Sequence, residues 1–148
     1  MAHVRAVRRE DASAWLQLRQ ALWPDESGSH ASQIRDFFAG RRRIPLEVLM
    51  AFEDDRPVGF AELSIRPYAE GCDTDRVAFL EGWYVVPEHR RRGIGRALVD
   101  AAEAWGRAQG CTEFASDTNI DNDASAAAHQ ALGFEEVEQI RCFRKILR

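Results

Sequence analysis

The chain holds 148 residues, 20 of them basic and 24 acidic, for a net charge of −4. With 45% hydrophobic and 30% charged residues it reads as one globular domain over 1–148, long enough to bury a core without disulfide or metal staples. The acidic balance argues against a duplex nucleic-acid partner, and no apolar run approaches the ~20 residues that cross a bilayer.

Residues 3–7 predict a first strand, and no apolar stretch follows Met1-Ala2-His3-Val4-Arg5, so no secretory signal is expected and the expected location is cytoplasmic. Asp11 is placed to cap a helix carrying Trp15, Leu18 and Leu22 at helical spacing, stopped by Pro24. Ser29 opens a second helix with Ile34, Phe37 and Phe38 on one stripe and Gly40 at its end; Arg41-Arg42-Arg43 then reads as a solvated loop. Residues 46–52 and 58–65 predict a hairpin about Asp54-Asp55-Arg56-Pro57, and 77–86 a long strand stopped by Pro87. A helix over 93–109 turns Ile94, Leu98, Ala101, Ala102 and Trp105 inward, and Gly110 ends it. A short strand over 112–116, a polar loop over 117–123, a short helix over 124–132 and two closing strands, 134–140 and 142–147, complete the chain. That order implies an α/β sheet with helices on both faces. Cys72, Cys111 and Cys142 fit neither a disulfide framework nor a zinc cage; they read as small buried hydrophobes, and no metal is expected.

The most informative stretch is Val85-Val86-Pro87-Glu88-His89-Arg90-Arg91-Arg92-Gly93-Ile94-Gly95-Arg96-Ala97-Leu98. A strand ends, a basic turn follows, and glycines open a helix. Free N–H groups and the positive dipole end at a helix start make an anion site. Glycine admits a phosphate to the backbone, and arginine supplies forked donors to its oxygens. A basic turn capped by glycines is the purely structural reading. A Rossmann site fits poorly, because Leu98 stands where its third glycine belongs, and no Gly-Lys-Ser/Thr follows as a Walker loop requires.

Arg90-Arg91-Arg92-Gly93-Ile94-Gly95 after a Val-Pro strand end resembles the acetyl-coenzyme A pyrophosphate loop of GNAT-superfamily N-acetyltransferases. Asn122, the short helix after it and Ala131-Leu132-Gly133-Phe134 resemble that superfamily's second coenzyme motif. More narrowly, Phe79-Leu80-Glu81-Gly82-Trp83-Tyr84-Val85, Cys111-Thr112-Glu113-Phe114-Ala115-Ser116-Asp117, Asp121-Asn122 and His129-Gln130-Ala131-Leu132-Gly133-Phe134-Glu135-Glu136 are similar to the aminoglycoside 6′-N-acetyltransferases, over nearly the whole chain. The resemblance implies a GNAT-like mixed, largely antiparallel sheet flanked by helices and splayed at the coenzyme A site. It also implies acetyl-coenzyme A bound by Arg91, Arg92, Gly93, Ile94, Gly95, Arg96, Asn122, His129 and Phe134. Val85 or Val86 would offer a backbone N–H to the thioester carbonyl, and a homodimer would form through the late strands.

Three acids are the candidates for holding and deprotonating an amine. Glu81 lies mid-strand between Leu80 and Gly82, a costly place for an acid unless it faces a wet cleft or a cation. Asp117 lies just past a strand's C-terminal end, where open α/β sheets place ligands, though a loop cap is its structural alternative. Glu138 lies in an acidic late strand and reads equally as a solvated acid. His129 reads equally as a packed or solvated histidine. The family resemblance makes the three acids contacts of a cationic aminoglycoside, with Asp117 as base, directly or through water. It also places Trp23 and Tyr68 in the acceptor cleft, although Trp23 serves equally as the last core residue of its helix. Two other readings keep the same cradle: acetyl transfer to another cationic amine (a polyamine, small amine or protein amine), or a non-catalytic acyl-coenzyme A-binding domain.

Overall fold

In the computed structural model, which describes residues 2–24 and 28–148, five strands form one sheet in the order β1-β2-β3-β4-β5. The strands are β1 (Ala2–Ala6), β2 (Glu47–Glu53), β3 (Arg56–Arg66), β4 (Val77–Val85) and β5 (Phe114–Ser116). Neighbours pair antiparallel except β4 and β5, which run parallel. The helices are α1 (Ala12–Leu22), α2 (His30–Phe38), α3 (Ile94–Ala108) and α4 (Asp123–Ala131).

The period-two pattern of β2 divides the core into two layers. Leu49 and Ala51, with Ala61, Leu63 and Leu80, pack on Ile94, Leu98, Val99 and Ala102 of α3. Val48, Met50 and Phe52, with Phe60, pack on Trp15, Leu18 and Ile34 of α1 and α2. Helices thus cover both faces. Leu98 is fully buried in the α3 layer, and cutting it to Ala should cost about 2–5 kcal/mol.

Three expectations need correction. Asp11 precedes α1 but does not cap it with its side chain. Its carboxylate turns back toward β1, accepting from the Arg8 N–H at 2.7 Å and from Arg5 Nη1 and Nη2 at 2.7 and 3.1 Å. Nor do residues 134–148 form strands. A strand needs a hydrogen-bonded neighbour, and within one chain the sheet ends at the three-residue β5. These last residues run as an extended arm with Phe143 90%, Leu147 86% and Ile146 72% exposed. Of the cysteines only Cys111 is buried; Cys142 is exposed on the arm.

Candidate active site

Strand β4 carries one extra residue against β3. Glu62 pairs with Gly82 and Leu63 with Leu80, so Glu81 is the bulged residue between them. A bulge leaves two successive side chains on one face. Ala78, Leu80 and Trp83 therefore meet α3 or its neighbours, whereas Phe79, Glu81, Gly82 and Tyr84 face the α1 and α2 side. The acid expected to be costly in mid-strand stands at this irregularity.

Glu81 is not a free carboxylate. Arg66 grips it in a fork, Nε to Oε2 at 2.9 Å and Nη2 to Oε1 at 2.7 Å, and Ser64 Oγ donates to Oε2 as well. The Glu81 bond holds the Arg66 guanidinium above its ordinary pKa against some desolvation, with the charges of Glu81, Asp117 and Glu70 adding to the effect. Asp117 follows β5 and is exposed near this fork. Arg66 thus grips Glu81 and feels the charge of Asp117; it is a cation that sequence reasoning missed. The only signal for it was a basic residue closing β3 in register with Val77, two positions from Ser64.

The Trp23 indole packs the outer edge of its six-membered ring against the bulge. A Cβ on Gly82 would come 2.5 Å from Trp23 Cη2, so only glycine admits the ring there. Tyr68 is 66% exposed on the loop after β3. Glu138 lies exposed on the arm; the neighbouring Val137 packs so closely on Gly71 that a Cβ there would sit 2.6 Å away.

Behind Trp23 lies a buried polar chain that sequence reasoning also missed. Glu62 Oε2 accepts from Trp15 Nε1 at 2.9 Å and pairs with Arg19 Nε at 3.0 Å. Burial pushes the Glu62 carboxyl up, opposed by the Arg19 charge and the Trp15 bond. Arg19 follows Trp15 by one helical turn on the buried stripe of α1, which was the available signal.

At the edge of the sheet, β5 pairs β4 only as far as Leu80 with Ser116, and beyond that point β4 has no strand neighbour on this side among the described residues. Val86 N–H donates to Val58 O at 2.8 Å, so of the two candidate amides Val86 is already engaged. Amides alternate along a strand, which turns Val85 toward the open edge, where its carbonyl accepts from Arg90 Nε at 2.8 Å. His129 closes this wedge. Its Nδ1 donates to Ser125 O at 2.7 Å, its Nε2 lies 2.8 Å from Ser116 Oγ, and its ring meets Trp83 and Phe134 edge-on. Asn122 caps α4, its side-chain oxygen accepting from Ser125 N–H at 3.0 Å.

After Pro87–His89 the loop enters α3 with Arg91 at φ 65 and Gly93 at φ 82. A left-handed turn at Gly93 points the first α3 amides outward, and a Cβ there would meet nothing within 4 Å. Gly95 instead packs on Trp83, where a Cβ would come within 3.2 Å. Ile94 is buried, while Arg91, Arg92 and Arg96 are exposed and no acid stands in the first turn of α3. Glu53 at the end of β2 holds both His89 Nε2 and Arg92 Nη1, at 3.5 and 3.6 Å. Open space over Gly93, the first amides of a helix, its dipole and exposed guanidinium groups together fit a diphosphate.

Residues 12–134 match the Acetyltransferase (GNAT) family. The chain is 57% identical to the aminoglycoside N(6′)-acetyltransferase type 1 of Klebsiella aerogenes, over 97% of this chain and 96% of that one. The chain belongs to the aminoglycoside 6′-N-acetyltransferase family of GNAT enzymes. The enzyme of the same name from Acinetobacter baumannii is 41% identical over 97% of both chains. Among solved structures, AAC(6′)-Iy in complex with the bisubstrate analogue CoA-S-monomethyl-acetylneamine superposes with a TM-score of 0.92 at 36% identity, covering 99% of each chain. The left-handed turn into α3 lies beyond the end of β4, whose edge is open past Leu80, and the Glu81 bulge lies further back on the same strand.

Proposed function

We propose that this chain is an acetyl-coenzyme A-dependent N-acetyltransferase that acetylates the 6′ amine of aminoglycosides and thereby confers resistance. The observation that carries the reading is the joining, through the β4 bulge, of an anion cradle to a wall bearing Glu81 and Asp117, in a chain 57% identical to an enzyme named for that reaction.

When bound, acetyl-coenzyme A supplies an activated acetyl thioester. Arg91, Arg92, Arg96 and the amides of Gly93, Ile94 and Gly95 hold its diphosphate, and Asn122, His129 and Phe134 border its path. Glu81, Asp117 and Glu138 hold the cationic amino sugar against Trp23 and Tyr68. An alkylammonium has a pKa near ~10, so the amine must lose a proton before it attacks; Asp117 accepts it, directly or through a water. The Val85 N–H, turned to the open edge, faces the oxygen that gains negative charge. Direct attack would form the C–N bond as the C–S bond breaks, the amine's second proton passing to the departing coenzyme A thiolate.

We further place the protein in the cytoplasm as a homodimer, joined through the arm of residues 134–148. Its exposed Phe143, Ile146 and Leu147 are more apolar surface than a lone chain keeps in water, and β5 has a free edge. Light scattering should give twice 16.8 kDa, and a monomer mass removes the dimer.

The deciding assay follows release of free thiol with kanamycin, tobramycin and a panel of polyamines and protein amines. Turnover with aminoglycosides supports the reading. Turnover restricted to other amines replaces the substrate, and tight coenzyme binding without any transfer removes the activity.

A further inference from the structure

The largely apolar layer beneath α1 and α2 buries three side chains that a core would ordinarily exclude: Glu62 at 2% exposed, Arg19 at 4% and His30 at 1%. A buried ion pair loses about as much by desolvation as it gains by attraction, so apolar residues in its place hold a fold equally well or better. Stability therefore does not account for it; its surroundings do.

Every member of this set leads to Trp23. Arg19, oriented by Glu62, places its guanidinium 5.2 Å from the Trp23 ring centroid. His30 donates from Nε2 to the Trp23 carbonyl at 3.0 Å and stacks on the indole at 6.5 Å and 16°. Phe60 meets the same ring edge-on at 6.2 Å. Side chain and backbone of Trp23 are thus both fixed, although the residue lies just past the end of α1, where a chain is ordinarily free to fray. The fixed ring is the one packed against Gly82, next to Glu81. Glu62 itself pairs with Gly82 across the strands, so the ion pair sits directly behind the bulge.

We propose that Arg19 and Glu62 are positioning residues for the acceptor: through Trp23 they set the surface on which an amino sugar ring rests at the Glu81–Gly82 bulge, and so how its amine is presented, without touching the sugar. This rests on the reading that the acceptor lies against Glu81 and Trp23. The cradle at the start of α3 shares none of these residues.

The test is the double variant Arg19→Met/Glu62→Met, which fills the space with apolar atoms and leaves no unpaired charge. It should keep its thermal midpoint while the KM for kanamycin rises about tenfold, with the KM for acetyl-coenzyme A unchanged to within about twofold. Near-UV circular dichroism should lose the Trp23 contribution, identified by difference from Trp23→Phe. If the double variant fails to fold, Glu62→Gln, which keeps an acceptor for Trp15, serves for the same measurements. A folded variant with unchanged kanamycin KM overturns the proposal, as do equal rises in both KM values, the mark of a general structural role. Should the wild type acetylate no aminoglycoside, the substrate reading falls by that result alone. An unaltered Trp23 signal in a folded variant would still overturn the positioning role independently.

Discussion

The proposed coenzyme cradle and the proposed acceptor wall are built by different means. The cradle comes from one continuous stretch, residues 85–98, and from its backbone: a left-handed Gly93, the first amides of α3 and exposed arginines. The wall comes from side chains of β3, β4, α1 and the loop after β5, which meet only in the folded sheet; Trp15 and Glu62 are 47 positions apart. Backbone recognition of a diphosphate needs only a local turn, whereas placing an amine among carboxylates needs tertiary contacts. The two sites should therefore fail separately, and their separation can be tested from either side.

The largest effect belongs to Asp117→Asn. Loss of a general base should lower kcat about a hundredfold or more while coenzyme affinity stays the same, and turnover against pH measures it. Unchanged turnover would assign the proton to another acid or to solvent. Gly93→Val should do the reverse, weakening coenzyme binding about tenfold, roughly 1.4 kcal/mol, with kanamycin KM little altered; calorimetry with coenzyme A checks it. Glu81→Gln removes the charge but keeps an acceptor for Ser64, and should lower kcat/KM for kanamycin roughly fivefold. Should it weaken coenzyme binding equally, the two sites are not independent.

The smallest effect concerns what holds α1, and with it Trp23. The Arg5 bond keeps the Asp11 carboxyl below the usual carboxylate range, helped by the Arg8 N–H and opposed by burial. A depressed folded-state pKa adds stability above the unfolded value near ~4, and that stability is lost as the pH falls through the folded value. Asp11→Asn should thus cost about 0.5–1 kcal/mol at neutral pH and flatten the acid limb of the denaturation curve.

The same contrast explains what was legible in the sequence. The candidate cradle could be picked out because its parts are adjacent, and helices on both faces of the sheet because strands and helices alternate along the chain. Glu81 and Asp117 were singled out from their places within one strand and just past the end of another. Their tie, Arg66, was not, since which β3 residue opposes which on β4 depends on a bulge that leaves no mark in composition. Glu62 was passed over as one acid in an apolar strand, its partner Arg19 lying in a different element. The two late strands were expected from apolar residues spaced along 134–147, but apolar spacing does not supply a neighbouring strand, and one chain alone provides none.

The positive charge of the cradle rests on arginine alone, and Lys145, far along the arm, is the only lysine among the chain's 20 basic residues. A guanidinium stays protonated at any physiological pH and presents a planar fork of N–H donors, whereas a lysine in the same place would offer a single point charge on a flexible stem. Forked cations would therefore fix the direction in which a bound diphosphate lies, and not only its charge.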